Sequence, residues 1–281
     1  MLKAGLIGEP VSHSLSRVMH NAAYAHLGID AVYDLWETPL ADLPGRVETL
    51  RLPDMLGANV TVPHKQAVIP LVDELSVVAQ RVGAVNTIIP RAGLLVGDNT
   101  DAYGFARSLD EAATGRVPGR AVVVGAGGAS RAVLVALQDA GVPEIVLVNR
   151  TSSRAMELVE DLSLPGAAPI EVGEFGRLVN LAQGADVLIN ATSVGWHGDE
   201  LPFDREVLQG LSPQAVVVDL TYRETSLLRL ALASGLAVLD GLPMLIHQGA
   251  RSFELWTGQD APLDVMRGAV VAEQERRSLV S

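Results

Sequence analysis

Moving a proton near neutral pH takes a side chain that can give up its charge, and this chain has very few cations that can. Its 21 basic residues comprise two lysines, Lys3 and Lys65, and 19 arginines. A guanidinium stays protonated at any working pH, whereas an amine can serve as acid and as base. Lys3 opens the first apolar run and reads as a solvated terminal charge. Lys65 closes the stretch Asn59-Val60-Thr61-Val62-Pro63-His64-Lys65. Strand alternation there puts Asn59 and Thr61 on one face and the valines on the other. Pro63 suits the first position of a helix over 64–72, carrying Lys65 back over the strand end. Gly83-Ala84-Val85-Asn86-Thr87 adds a buried-looking amide, and Asn99-Thr100-Asp101 a carboxylate at a helix start. Taken singly, Asp101 would be an N-cap and Asn86 a turn residue. Earlier, Ser12-His13-Ser14-Leu15-Ser16 sets three hydroxyls at spacing two, and helix capping accounts for only one of them. The six histidines (13, 20, 26, 64, 197 and 247) show no metal-ligand spacing and read as structural, so no metal is expected.

A second constellation suits a nucleotide. Gly125-Ala126-Gly127-Gly128-Ala129-Ser130 follows a four-residue apolar strand and opens an Ala/Leu/Val-rich helix. Tight turn, close backbone approach and free amides at a helix N-terminus are what a pyrophosphate needs. Ser130 stands at the third glycine position of G-x-G-x-x-G. After the next strand, Asn149-Arg150-Thr151 offers no carboxylate for an adenosine ribose, and Arg154 follows one turn later. Two guanidiniums where a 2′-phosphate would lie favour NADP over NAD. The plainer alternative is a pair of surface charges opening a helix, where cations are disfavoured.

The elements that must hold these groups alternate β-branched runs with amphipathic stretches, the pattern of an α/β architecture with a mainly parallel sheet. Strands are expected at 2–7, 32–37, 56–61 and 85–89, with a hairpin-like return through Gly93 to 94–96. Helices are expected at 17–27, 40–50 and 64–72. A new βα series starts at 121–124 and continues through strands 145–148, 187–190, 216–220 and 237–239, with helices after Ser130, Ser152 and Thr225. Residues 114–119 read as the link into it, and helices 244–257 and 265–277 follow. The reading is two domains. One is a discontinuous α/β/α substrate-binding domain, 1–102 with 240–281; the other is a Rossmann-like NADP-binding domain, 103–239.

Composition agrees with well-packed cores: 48% of residues are hydrophobic and 19% charged. A formal charge of −12 disfavours a nucleic-acid surface, and the absence of cysteine excludes disulfides and thiolate metal sites. No stretch approaches the roughly 20 apolar residues that span a bilayer, and no signal peptide is legible. A soluble, cytoplasmic monomer or homodimer with a small-molecule substrate is the expectation.

Several blocks, in order, resemble the signatures of the shikimate dehydrogenase family: Gly8–Ser16, Asn59–Lys65, Gly83–Thr87, Asn99–Asp101, Gly125–Ser130, Asn149–Thr151, Asn190–Ser193 and Gly241–Gln248. The resemblance implies NADPH-dependent reduction of 3-dehydroshikimate to shikimate, on the route to aromatic amino acids. It implies that Ser14, Ser16 and Tyr222 bind the substrate carboxylate. Lys65, Asn86 and Asp101 would meet the reacting oxygen and its neighbour, Lys65 as acid/base with Asp101. Thr61 and Gln248 would reach the remaining hydroxyl, with Asn59 in support. Gly125, Ala126, Gly127, Gly128, Ala129, Asn149, Arg150, Thr151, Arg154, Thr192 and Ser193 would hold the cofactor, with Leu220, Gly241 and Met244 near its nicotinamide. Arg17 departs from the family pattern, which commonly has proline there. A quinate/shikimate dehydrogenase and a catalytically silent ligand-binding module on the same fold are the alternatives.

Overall fold

The computed structural model describes residues 1–113, 117–163, 166–196 and 198–279. Thr114, Gly115 and Arg116 of the expected link, and His197, therefore lie outside the described residues. The chain divides into two compact units, Met1–Gly104 with Ile246–Ser281 and Phe105–Leu245. The divisions fall inside two helices, α4 (Asp101–Ala113) and α9 (Leu242–Thr257).

In the first unit, β1 (Leu2–Gly8) lies between β2 (Ala31–Glu37) and β3 (Met55–Val60), all three parallel. The hairpin β5 (Thr87–Arg91) and β6 (Leu94–Asp98) continues the sheet, with β5 antiparallel to β3. The short β4 (Glu74–Leu75) pairs parallel to β6, giving the order β2-β1-β3-β5-β6-β4. The sheet is thus mixed, as the return at Gly93 implied. Its register sets polar side chains opposite one another. Asn59 faces Thr87 across β3–β5, and Thr87 faces Asp98 across β5–β6. Because β5 runs against its neighbours, the end of β3, the start of β5 and the end of β6 meet at one edge.

Around this sheet lie α1 (Ser16–His26), α2 (Leu43–Glu48), α3 (Val77–Val82), the C-terminal part of α9, and α10 (Leu263–Ser278). Ile7, Ala58, Val60, Ile88 and Leu95 of the strands pack with Leu43, Val47 and Leu50 in one buried cluster. Two expected helices are corrected. Residues 40–50 are helical only in pieces, with 3₁₀ turns at Leu40–Asp42 and Thr49–Arg51 flanking α2. Residues 64–72 form turns and a single 3₁₀ turn, Ile69–Leu71. Pro70 has no N–H for a helical bond, and the Lys65 carbonyl is taken by the amide of Val85 at 2.8 Å. Pro63 therefore starts no helix.

The second unit is a six-stranded parallel sheet: β7 (Arg120–Val124), β8 (Glu144–Asn149), β9 (Ile170–Glu174), β10 (Val187–Asn190), β11 (Val216–Asp219) and β12 (Ala237–Leu239). Its order, β12-β11-β10-β7-β8-β9, is the doubly wound order that reverses between the first and fourth strands. Among the described residues, four helices connect it: α5 (Gly128–Asp139), α6 (Ser152–Leu162), α7 (Leu178–Leu181) and α8 (Ser226–Ala233). The apolar runs of β7, β10 and β11 are buried on both faces, as a parallel sheet covered by helices requires. Among the described residues, no helix is long and apolar enough to cross a membrane.

Candidate active site

At the sheet edge of the first unit, Lys65 Nζ donates to Asp101 Oδ2 at 2.6 Å, with side-chain exposures of 16% and 9%. Nζ has no other hydrogen-bond partner among the described residues, so two of its N–H bonds remain available. Its turn is pinned on both sides. The buried His64 ring bonds the Thr38 carbonyl at 2.7 Å, and the Lys65 carbonyl holds Val85.

Asp101 is not a cap. Asn99 Oδ1 accepts from the Asp101 amide at 3.0 Å and the Ala102 amide at 3.4 Å, which satisfies the first turn of α4. The Asp101 carboxylate is left to face Lys65 with one oxygen and Asn86 Nδ2, at 2.8 Å, with the other. The orientation of the Asn86 amide is fixed by a backbone donor. The Thr100 N–H must donate, so the atom it meets at 2.7 Å is Asn86 Oδ1, and the NH₂ faces Asp101. Thr87 and Thr100 hydroxyls also donate to that oxygen, at 2.9 and 3.2 Å.

Asn59 is fixed in the same way. Its Nδ2 donates to the Asn86 carbonyl (3.2 Å), Thr87 Oγ1 (3.1 Å) and Ser252 Oγ (2.9 Å), while Oδ1 accepts from the Tyr33 phenol at 2.9 Å. Asn59 and Asn86 are thus buried and engaged by protein partners on every side. Gln248, one turn before Ser252 on α9, brings Oε1 to 3.4 Å from Asn86 Nδ2. Thr61, just past β3, is half-buried, and its methyl packs on Gly8, where any Cβ would collide with it.

The serine loop lies before α1. Ser14 Oγ accepts from the Ser16 amide at 3.2 Å; Ser14 is half-buried and Ser16 buried. Neither serine caps the helix, whose N-cap position is Leu15. Arg277 of α10 donates to the His13 carbonyl at 2.7 Å, bracing the loop from the far end of the chain. Arg17 is exposed.

In the second unit, Gly125 has φ +112°, and a Cβ on it would lie 2.9 Å from the Ala191 backbone. Only glycine fits where the ends of β7 and β10 converge. Gly127 begins α5 with open space where a Cβ would be, its amide donating to Ser130 Oγ at 3.2 Å. Ser130 is fully buried, which accounts for its place at the third glycine position. Asn149 Nδ2 donates to the Thr151 carbonyl at 2.9 Å and shapes the next turn. Arg150, Thr151 and Arg154 are exposed there, with neither guanidinium in an ion pair among the described residues. Thr192 is held by Asn190 Oδ1 at 2.7 Å, with Ser193 exposed beside it. Gly241 packs directly on the Leu220 carbonyl, too close for a side chain, and Met244 is buried. Tyr222 stands edge-on to Trp196, ring centroids 4.9 Å apart.

The sequence reading gave no role to the buried members Tyr33, Thr87, Asn99, Thr100 and Ser252. Thr87, Asn99 and Thr100 lie in blocks it singled out, and Ser252, four residues after Gln248, shares that residue's helical face; Tyr33 carried no signal. Among the described residues, no group of three His, Asp or Glu side chains could hold a metal ion.

A parallel sheet whose glycine turn sits at the reversal of strand order and leads into a helix N-terminus defines a dinucleotide-binding α/β protein. Residues 6–88 match the shikimate dehydrogenase substrate binding domain, 111–221 the shikimate / quinate 5-dehydrogenase model, and 241–271 the shikimate 5'-dehydrogenase C-terminal domain. The chain belongs to the shikimate dehydrogenase family. It is 43% identical to a shikimate dehydrogenase (NADP(+)) of Symbiobacterium thermophilum, over 96% of this chain and 94% of that one. The crystal structure of Thermus thermophilus shikimate 5-dehydrogenase in complex with NADP(H) and shikimate is similar at TM-score 0.86 and 40% identity, covering 97% of this chain and 99% of that one. Quinate dehydrogenase from Corynebacterium glutamicum, in complex with NAD, is similar at TM-score 0.88 and 34% identity, covering 96% and 99%.

Proposed function

We propose that this enzyme reduces 3-dehydroshikimate to shikimate, with Lys65 as the proton donor and Asp101 as its orienting partner. The observation that carries the assignment is the 2.6 Å contact between Lys65 and Asp101, which leaves two ammonium protons uncommitted. NADPH, when bound, supplies the hydride. As negative charge grows on the substrate oxygen, Lys65 stabilises it and delivers a proton; in the reverse direction the amine accepts one. Asp101 fixes where Nζ points, and Asn86 fixes Asp101. Asn59 supports that row from behind.

Ser14 and Ser16 suit the substrate carboxylate, with Thr61 and Gln248 for a ring hydroxyl. Tyr222 belongs to the second unit, and its assignment to the carboxylate rests on family likeness alone. The turn Gly125–Ala129 suits the pyrophosphate, since glycine lets the backbone come close where a helix begins. Arg150 and Arg154, exposed and without ion-pair partners among the described residues, suit the 2′-phosphate, with Asn149 and Thr151 shaping their turn. Thr192 and Ser193 border the same strand ends, and Leu220, Gly241 and Met244 suit the nicotinamide. Substrate-binding and cofactor-binding roles accordingly fall to the first and second units.

Lys65→Ala should lower kcat for dehydroshikimate reduction by about 10²–10⁴-fold and leave NADPH affinity nearly unchanged. Equal loss of both would sink the assignment. Likeness to a quinate dehydrogenase supports a second reading, which dehydroquinate and dehydroshikimate, each tried with NADPH and NADH, separate directly.

A further inference from the structure

Behind the polar row lies an aromatic block with no task yet assigned. His20 of α1 is fully buried, and neither ring nitrogen has a hydrogen-bond partner among the described residues. Its ring lies flat on Tyr33, with centroids 4.3 Å apart and planes 7° from parallel. Trp256 of α9 stands 5.4 Å from the imidazole and 6.2 Å from the phenol ring. Trp256 is itself tied down, its indole N–H donating to the Ile88 carbonyl at 3.1 Å. Burial keeps the imidazole neutral, its pKa pushed down to about 3. A buried, unpartnered ring nitrogen is destabilising, so its retention points to something the flat ring does for its neighbours.

The neighbour is Tyr33, fully buried, whose phenol donates to Asn59 Oδ1 at 2.9 Å. No other described residue donates to that oxygen. Tyr33 thus holds the amide that ties β3 to the Asn86 carbonyl. We propose that Tyr33 is a positioning residue for the reaction: its phenol, aligned by the His20 stack, fixes the Asn59 amide and through it the Asn86–Asp101–Lys65 row. This rests on the assignment of proton transfer to Lys65 with Asp101.

The physical logic is a donor count. Asn59 can turn its oxygen only towards a donor, and Tyr33 is the donor on that side. Without the hydroxyl, Oδ1 is buried and unsatisfied, and the flipped amide would set it against the Asn86 carbonyl. Either outcome loosens the junction of β3 with residue 86, which holds Asp101.

Tyr33→Phe keeps the ring and the stack and removes only the hydroxyl. It should lower kcat per folded enzyme about tenfold with KM within about twofold. Wild-type kcat in a variant that is merely less heat-stable overturns the proposal, because a purely structural phenol would do no more. Two changes at His20 test the stack without touching Tyr33. His20→Phe restores a flat ring and should keep kcat within about twofold. His20→Leu fills the space without stacking and should lose about as much kcat as Tyr33→Phe. Full activity in His20→Leu, or a tenfold loss in His20→Phe, overturns the role of the stack. Lys65→Ala separates the two levels. Full kcat there sinks the acid/base reading, whereas an inactive Lys65→Ala beside a fully active Tyr33→Phe sinks only the positioning role.

Discussion

A guanidinium and an amine carry the same charge and do different work, and this chain separates the two jobs sharply. Arg150 and Arg154 stand exposed on the turn after β8, where a planar fork of donors suits a phosphate. Lys65 is mostly covered, aimed by a carboxylate, and can part with a proton. Arg150→Ala should therefore weaken NADPH about tenfold, the worth of a charge-assisted contact discounted for exposure, and change NADH by less than about twofold. Comparable losses with both cofactors in a titration would show that Arg150 does not read the 2′-phosphate. The amides obey a stricter rule. A backbone donor, Thr100 N–H, decides which way Asn86 faces, and a backbone acceptor, the Asn86 carbonyl, decides it for Asn59. Such constraints are invisible in a sequence because they join Asn59, Asn86 and Thr100, residues far apart in the chain. Lys65 and Asp101 were legible as chemistry-bearing types. Tyr33, Thr87 and Ser252 look like ordinary core or helix residues until register and packing bring them together.

At the scale of elements, the edge that gathers the site is a consequence of one reversed strand. Were β5 parallel to β3, Thr87 would sit at the far end of the sheet from Asn59. That reversal was partly readable, since Gly93 marked the return into β6. The segment 64–72 misled because apolar spacing alone cannot report that a carbonyl is taken by a distant amide. Short elements were missed for a related reason. α3 is six residues long and owes its boundaries to a Ser76 cap on the Ala79 amide and to Gly83 at φ +65°, and β9 is an edge strand with little apolar run. The parallel, helix-covered sheet, by contrast, was legible in runs such as Val122–Val124, which are buried on both faces. Close packing also leaves a sharp test on β3. Gly57, at φ +153°, lies against the Trp256 indole, and a Cβ there would fall 2.6 Å from the Ile88 carbonyl. Gly57→Ala should cost about 3 kcal/mol, read as a lower urea midpoint. Unchanged stability would mean that the tryptophan moves aside freely.

At the scale of the molecule, acid stability should carry the mark of a single buried imidazole. Folded His20 has its pKa pushed down to about 3 from 6.5 by burial. Between those values the unfolded chain binds a proton that the folded chain does not, so stability rises with pH. The contribution is intact above about pH 6.5 and is progressively lost as pH falls towards 3. Between pH 6.5 and 5 the loss is about 2 kcal/mol at most, at 1.36 kcal/mol per unit. His20→Phe should flatten that limb of the stability profile, measured by urea unfolding at several pH values. A profile as steep as wild type would show that another group titrates there.

The bond between Ser252 and Asn59 joins residues 193 positions apart, with the whole second unit in between. During synthesis Lys65 and Asp101 emerge early and must wait, their backing incomplete, until α9 is made. The second unit, whose described strands all lie in one uninterrupted stretch, can fold in that interval. The site is thus completed last at Ser252, although Tyr33, Asn59 and Asn86, which back Asp101, leave the ribosome long before it.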